Sequence, residues 1–187
     1  MRQEKIENKP MQIMITKIPS IRFEGFAIRE LLVSDSTALF PTLRDEENGK
    51  FTVFNLHTDE EQTARWINGL IQENCFWAIT TFDNIAIGFI GYHSVDSAKK
   101  KTMISIHLNK AYWGRGITSK AVMSTDRYIY DNTEIELIAA TVKPENIQSQ
   151  RCLTKAGYKL DKVISNYQSS TINDTSKVRY FYTKQKS

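Results

Sequence analysis

Long apolar runs are missing from this chain. None of its 187 residues belongs to a stretch near the roughly 20 apolar residues that a bilayer span needs. A membrane-spanning helix is therefore not expected. The N-terminus carries Arg2 and Lys5 but no continuous apolar segment, because Met11 to Ile15 is short and contains Gln12. No secretory leader is expected on that basis, and a cytoplasmic location is. Only two cysteines occur, Cys75 and Cys152, far apart and without metal-ligand spacing. That argues against a disulfide scaffold and against a cysteine zinc site, and reads as two reduced thiols. Charge of one sign is also scarce. The net charge is +4 with a pI near 9.0, and the excess sits largely in Lys99 to Lys101 and in the last residues. No basic helix interleaved with aromatics is present, so a nucleic-acid surface is not expected.

What remains is an ordinary globular balance, 41% hydrophobic and 25% charged. The length fits one domain with a sizeable core. Residues 1–19 are polar, rich in Lys and Glu and broken by Pro10 and Pro19, and read as a flexible extension; 20–187 read as the domain. Arg22 to Leu32 has the composition of a first strand. Ser34 opens a helix from about Asp35 to Arg44 that Pro41 must distort, and Asp45 to Lys50 reads as a charged loop. Thr58 with Glu61 three residues later forms a capping box for a helix with Ala64, Ile67, Leu70 and Ile71 on one face. Phe76 to Phe82 and Ile85 to Tyr92 form a hairpin turning at Asp83-Asn84, and Met103 to Leu108 continues the meander. A helix over Ala121 to Tyr130, a strand over Glu136 to Val142, a helix over Asn146 to Ala156 ended by Gly157, and a hairpin of Tyr158 to Ser165 with Val178 to Thr183 complete the order. This is a mixed α/β (α+β) pattern, not a doubly wound repeat.

The most informative run is Tyr112-Trp113-Gly114-Arg115-Gly116-Ile117-Thr118-Ser119-Lys120. A strand precedes it and a helix follows. Such a glycine loop presents backbone N–H groups and a positive helix end to an anion. It lacks the Lys-Ser/Thr ending of a nucleoside triphosphate loop, which excludes that class. Its ordinary alternative is a tight strand-to-helix turn with no ligand.

Taken with Asn146-x-x-Ser149 and Lys155-x-Gly157-Tyr158 downstream, this loop resembles the signature of the GCN5-related N-acetyltransferase (GNAT) superfamily, in its RimJ/RimL-like branch. The resemblance covers about residues 20 to 184. It implies a mostly antiparallel sheet of six to seven strands with about four helices, acetyl-coenzyme A (acetyl-CoA) as cofactor, and an amine acceptor, either a protein N-terminus or a small molecule. A homodimer is common in such relatives. The loop Trp113, Gly114, Arg115, Gly116, Ile117 and Thr118 would hold the pyrophosphate, with Thr118 in place of the usual small residue. Main-chain groups of His107 and Leu108 would pair with the pantetheine arm, and one N–H there would face the developing oxyanion. Asn146 would hydrogen-bond the arm, unless it only caps its helix.

Two positions depart from the family pattern. Leu153 stands where many relatives place a Tyr acid, so Ser149 becomes the candidate acid toward the departing thiolate. Met103 stands where many place a Glu base. His107 or His93 could serve instead, and Glu24, Glu30, Asp45 and Glu46 come from segments that wall the acceptor site. Trp66, Phe76, Trp77 and Phe89 read as core, and Phe51, Phe54 and Tyr167 as loop aromatics near an acceptor. Cys152 has no evident base and reads as core. The two departures also leave open a non-catalytic module that binds coenzyme A.

Overall fold

Glu24 and Gly25 both take positive φ, 37° and 81°, and turn the chain back on itself. In this computed structural model they join β1 (Ile21–Phe23) to β2 (Phe26–Glu30), with Phe23 opposite Phe26. The expected single first strand is thus a hairpin. Described are residues 19–52, 54–72, 75–168 and 177–187. The expected extension over 1–19, except Pro19, lies outside them, as does most of the expected loop at 166–177.

The remaining strands are β3 (Phe76–Thr81), β4 (Ala86–Asp96), β5 (Lys101–Leu108), β6 (Leu137–Val142), β7 (Lys159–Ile164) and β8 (Arg179–Gln185). They form one eight-stranded sheet in the order β1-β2-β3-β4-β5-β6-β8-β7. That is more than the six to seven strands expected, and the hairpin at Glu24-Gly25 is the reason. Every pairing is antiparallel except β5 with β6.

Five helices are described: α1 (Ser36–Leu43), α2 (Glu46–Gly49), α3 (Glu60–Gln72), α4 (Ile117–Asn132) and α5 (Ile147–Lys155). The short α2 occupies the stretch expected as a charged loop, because the Asp45 side chain accepts the Asn48 N–H at 3.0 Å and caps it. Pro41 lies inside α1 without ending it. The cap of α3 sits one residue later than expected. Asp59 accepts the Gln62 N–H at 2.6 Å, and Gln62 Oε1 accepts the Thr58 N–H at 2.7 Å.

The helices divide between the two sheet faces. On one, α4 and α5 bury Ile117, Ala121, Val122, Ile129 and Leu153 against Ile104, Leu108, Ile138 and Tyr182. The buried positions of α4 recur at helical spacing, which orients that helix. On the other, α1 and α3 bury Leu39, Leu43 and Ile67 against Phe76, Ala78 and Phe89. A polar knot lies under the α4 side. Asp126, with no exposed surface, accepts from Tyr92 (2.7 Å), Tyr158 (3.0 Å) and Lys184 (2.8 Å). No helix among the described residues is long and apolar enough to cross a membrane.

Candidate active site

β5 and β6 pair through only three positions, Lys101 with Leu137, Thr102 with Ile138 and Met103 with Ala139. Both strands continue, to Leu108 and Val142, without pairing. A notch in the middle of the sheet results, and its unpaired main-chain groups need partners.

Ladder parity decides which groups face it. Asn109 N–H donates to the Ile87 carbonyl at 2.8 Å, and His107 lies opposite Phe89. Antiparallel residues alternate between facing one neighbour and the other. The main chain of His107 is therefore turned to β4, and that of Ile106 and Leu108 to the notch. This corrects the expectation that His107 and Leu108 both present main-chain groups there; Ile106 takes the place of His107. Trp113 then narrows the choice further. Its indole Nε1 donates to the Leu108 carbonyl at 2.7 Å, leaving the Leu108 N–H on that edge.

Directly after Leu108, Asn109 Oδ1 caps a 3-10 turn over Lys110–Tyr112, and the glycine loop follows. Gly114 and Gly116 have φ of +77° and +73°, conformations that favour glycine. A Cβ on Gly114 would meet no atom within 4 Å, so the loop is open toward the outside. Gly116 is the N-cap of α4 and provides no side-chain cap. The first N–H groups of that helix thus have no intrahelical acceptor. Cations surround them. Lys120 stands in the first turn and pairs with Glu24 from the β1–β2 hairpin. Lys155 of α5 reaches over Gly116, 3.8 Å from where a Cβ would stand. The Arg115 guanidinium lies 5.2 Å from the Tyr112 ring centre. Lys120 holds the Glu24 carboxyl below its ordinary range. Open N–H donors, a positive helix end and flanking cations are what a pyrophosphate requires, so these residues fit that part of the cofactor.

Across the notch, Asn146 caps α5. Its Oδ1 accepts the Ser149 N–H at 3.0 Å, leaving the amide N–H groups to donate elsewhere. The Ser149 hydroxyl makes no hydrogen bond among the described residues. Leu153 is buried in the core one turn on. Burial beside Asp126 pushes the Cys152 thiol up to about 12, which removes it as a nucleophile.

The histidines separate sharply. His93 lies opposite Met103, at the closed end of the ladder, with Nε2 2.8 Å from Ser105 Oγ. Its partner Met103 is four residues from His107, about 13 Å along β5. His107 lies at the open end, its side chain on the α1/α3 face. It stacks on Phe89 at 5.5 Å and meets Phe54 at 5.5 Å. Its Nε2 is enclosed without a partner, and burial pulls the imidazole down to about 4. Sequence reasoning missed His57. It is buried, with Nδ1 2.9 Å from Thr63 Oγ1, and contacts both Phe54 and Trp66. Nothing in the local pattern of residues 54–57 announces it. Of the loop aromatics, Phe54 joins this cluster, whereas Tyr167 lies under the Arg179 guanidinium. Trp66, expected as core, is only partly buried. Among the acidic candidates, Asp45 pairs with Lys110 at 2.7 Å, and Glu30 and Glu46 are exposed.

The fold has counterparts in known proteins. The model of the acetyltransferase (GNAT) domain matches residues 26–159, and the chain belongs to that family. It is 26% identical over 153 residues to the uncharacterized N-acetyltransferase p20 of Bacillus licheniformis, covering 79% of this chain and 86% of the relative. The structure of a GNAT-family acetyltransferase from Bacillus anthracis shares its fold with a TM-score of 0.79 at 23% identity, covering 89% of this chain and 98% of that one. RimL, the ribosomal L7/L12 alpha-N-protein acetyltransferase, solved with coenzyme A, does so with a TM-score of 0.78 at 16% identity, covering 89% and 98%. The protein is an acetyltransferase that uses acetyl-CoA, and the non-catalytic alternative is not favoured.

Proposed function

We propose that this chain transfers the acetyl group of acetyl-CoA to a primary amine, either a protein N-terminal α-amine or a small-molecule amine, by direct attack on the thioester. The observation that carries this reading is the notch beyond Met103 and Ala139, opening beside the uncapped N-terminus of α4. Bound there, acetyl-CoA supplies an activated acetyl thioester. The loop Trp113 to Thr118 and the first turn of α4 bind its pyrophosphate through backbone N–H groups, with Arg115, Lys120 and Lys155 adding charge. Leu108 N–H and the main chain of Ile106 pair with the amides of the pantetheine arm as a neighbouring strand would. The Asn146 amide donates to the arm from the α5 side. The Ser149 hydroxyl donates a hydrogen bond to the departing sulfur.

A thiol-release assay over a panel of peptide α-amines and small amines tests this. The expected result is amine-dependent thiol release, together with a rise in Tm that saturates with acetyl-CoA. Saturable binding without thiol release for every amine would instead establish the non-catalytic module.

A further inference from the structure

We propose that His57 is the group that takes the proton from the acceptor amine, at a site that seats an apolar part of the acceptor; this rests on the acetyltransferase reading above. The glycine loop, α4 and α5 belong to one sheet face. The side chain at the open end of the notch on the other face is that of His107. It belongs to a closed circuit of five rings. Phe54 meets His107 at 5.5 Å, His107 stacks on Phe89 at 5.5 Å, Phe89 meets Trp66 at 5.2 Å, Trp66 meets His57 at 5.3 Å, and His57 returns to Phe54 at 5.8 Å. An amine reaching an acetyl group in the notch from this face passes these rings. Their surfaces suit an apolar group beside the amine.

The pairing with Thr63 orients the His57 ring. A threonine hydroxyl has one hydrogen; with that of Thr63 on the Asp59 carbonyl at 3.2 Å, its Oγ1 accepts the Nδ1–H of His57 across 2.9 Å, the tautomer that this proposal requires. The Nε2 lone pair is left available, with no partner among the described residues, and it is not among the enclosed unpartnered atoms. His107 differs on both points. Its Nε2 is enclosed, and burial followed by the nearby His57 lowers its imidazole. Burial lowers His57 as well, and Asp59, ahead of α3, opposes that fall in part. Neither imidazole accepts from or donates to a carboxylate among the described residues. Of the other base candidates, Glu24 is engaged by Lys120, Asp45 by Lys110 and its helix cap, and His93 by Ser105 at the closed end, while Glu30 and Glu46 are exposed.

In the step, the amine nitrogen bonds to the acetyl carbon and one of its N–H protons passes to the His57 Nε2 lone pair. The carbon–sulfur bond breaks, and the sulfur leaves with the electron pair and takes up one proton from solvent to become the free thiol. The products are an acetamide, the thiol of coenzyme A and, once His57 returns its proton to solvent, the starting enzyme.

The experiment measures kcat, KM and their pH profiles for the full chain, for His57→Gln and for Thr63→Val. Thermal stabilisation by acetyl-CoA and nitrogen NMR of the imidazoles accompany the kinetics. His57→Gln is expected to lose about 100-fold in kcat, with unchanged stabilisation by acetyl-CoA. Its residual rate should follow deprotonation of the amine itself into alkaline pH. Thr63→Val should remove the Nδ1–H signature of His57 and lower kcat about tenfold with KM for acetyl-CoA unchanged. Wild-type kcat and pH profile in His57→Gln overturn the assignment and leave the acetyltransferase reading standing. If His57→Gln does not fold, Thr63→Val decides, and an unchanged spectrum or unchanged kcat overturns the assignment. A wild-type protein that releases no thiol with any amine overturns the reading and the assignment together.

Discussion

Met103 and Ala139 form the last pair between the two parallel strands at the centre of the sheet. Beyond them β5 runs to Leu108 and β6 to Val142 with their facing edges unpaired. Backbone donors and acceptors left open in the middle of a sheet are costly unless something fills the gap. In the function proposed above the filler is the amide-bearing arm of acetyl-CoA, with the glycine loop at its phosphates. Met103 itself sits at the closed corner, away from the strand end that carries His107.

The open edge depends on close approach from β4. A Cβ on Gly88 would stand 2.3 Å from the His107 carbonyl oxygen and 3.0 Å from Leu108 Cα, both backbone atoms that cannot swing aside. Gly88→Ala should lower stability by about 2 kcal/mol through overpacking and weaken acetyl-CoA binding about tenfold. Urea unfolding and titration calorimetry read the two effects. Wild-type affinity would show that the edge tolerates displacement.

Ser149 is asked to hold the departing sulfur through one hydrogen bond. Losing one such bond corresponds to about 1 to 1.5 kcal/mol, or close to tenfold in rate. Ser149→Ala should therefore drop kcat about tenfold and leave KM for acetyl-CoA within about twofold. Steady-state kinetics with saturating amine check this, and an unchanged kcat removes Ser149 from the reaction.

Burial of His107 makes stability depend on pH. Its folded-state value is pulled from 6.5 to about 4, so the folded protein binds fewer protons than the unfolded chain between those values. Its contribution is complete above about 6.5, declines as pH falls toward 4 and levels off below. The shift corresponds to at most about 3 kcal/mol. His57 and His93, also lowered by burial, act in the same direction. Urea unfolding of His107→Phe across this range should show a clearly shallower slope than the wild type. Parallel slopes would mean that His107 is as easily protonated folded as unfolded.

Asp126 is fully buried and Lys184 is its only cation partner among the described residues, at 2.8 Å. Burial raises this carboxyl, and Lys184 is the largest influence opposing that rise. Lys184→Met should cost about 3 kcal/mol by leaving the carboxylate without its cation. Adding Asp126→Asn should recover most of that loss. A double-mutant cycle measured by chemical denaturation gives the coupling directly.

Much of this protein can be read from short stretches of sequence. Gly114 and Gly116 between a strand and a helix, Asn146 three residues before Ser149, Gly157 ending α5 and the Asp83-Asn84 turn each work through chemistry confined to a few neighbouring residues. The same local reading counted one strand where Glu24-Gly25 makes two, because a non-glycine residue at positive φ gives no signal in composition. It also placed the α3 cap one residue early, where Thr58, Asp59, Glu61 and Gln62 offer competing caps.

Other features depended on how distant segments meet. Whether His107 or Ile106 presents its main chain to the notch is a matter of ladder parity, and a one-residue slip reverses it. That parity is set by the register of β4 on β5, not by either strand alone. His57, Thr63, Trp66, Phe89 and His107 come from a loop, a helix and two strands, and only packing against one sheet face gathers them. The sequence by itself determined the strand, glycine loop and helix order, the Asn146 cap of α5 and the family signature, since each is local. Tertiary structure alone decided which backbone groups stay open and which imidazole nitrogen is enclosed without a partner, since both follow from groups contributed by other parts of the chain.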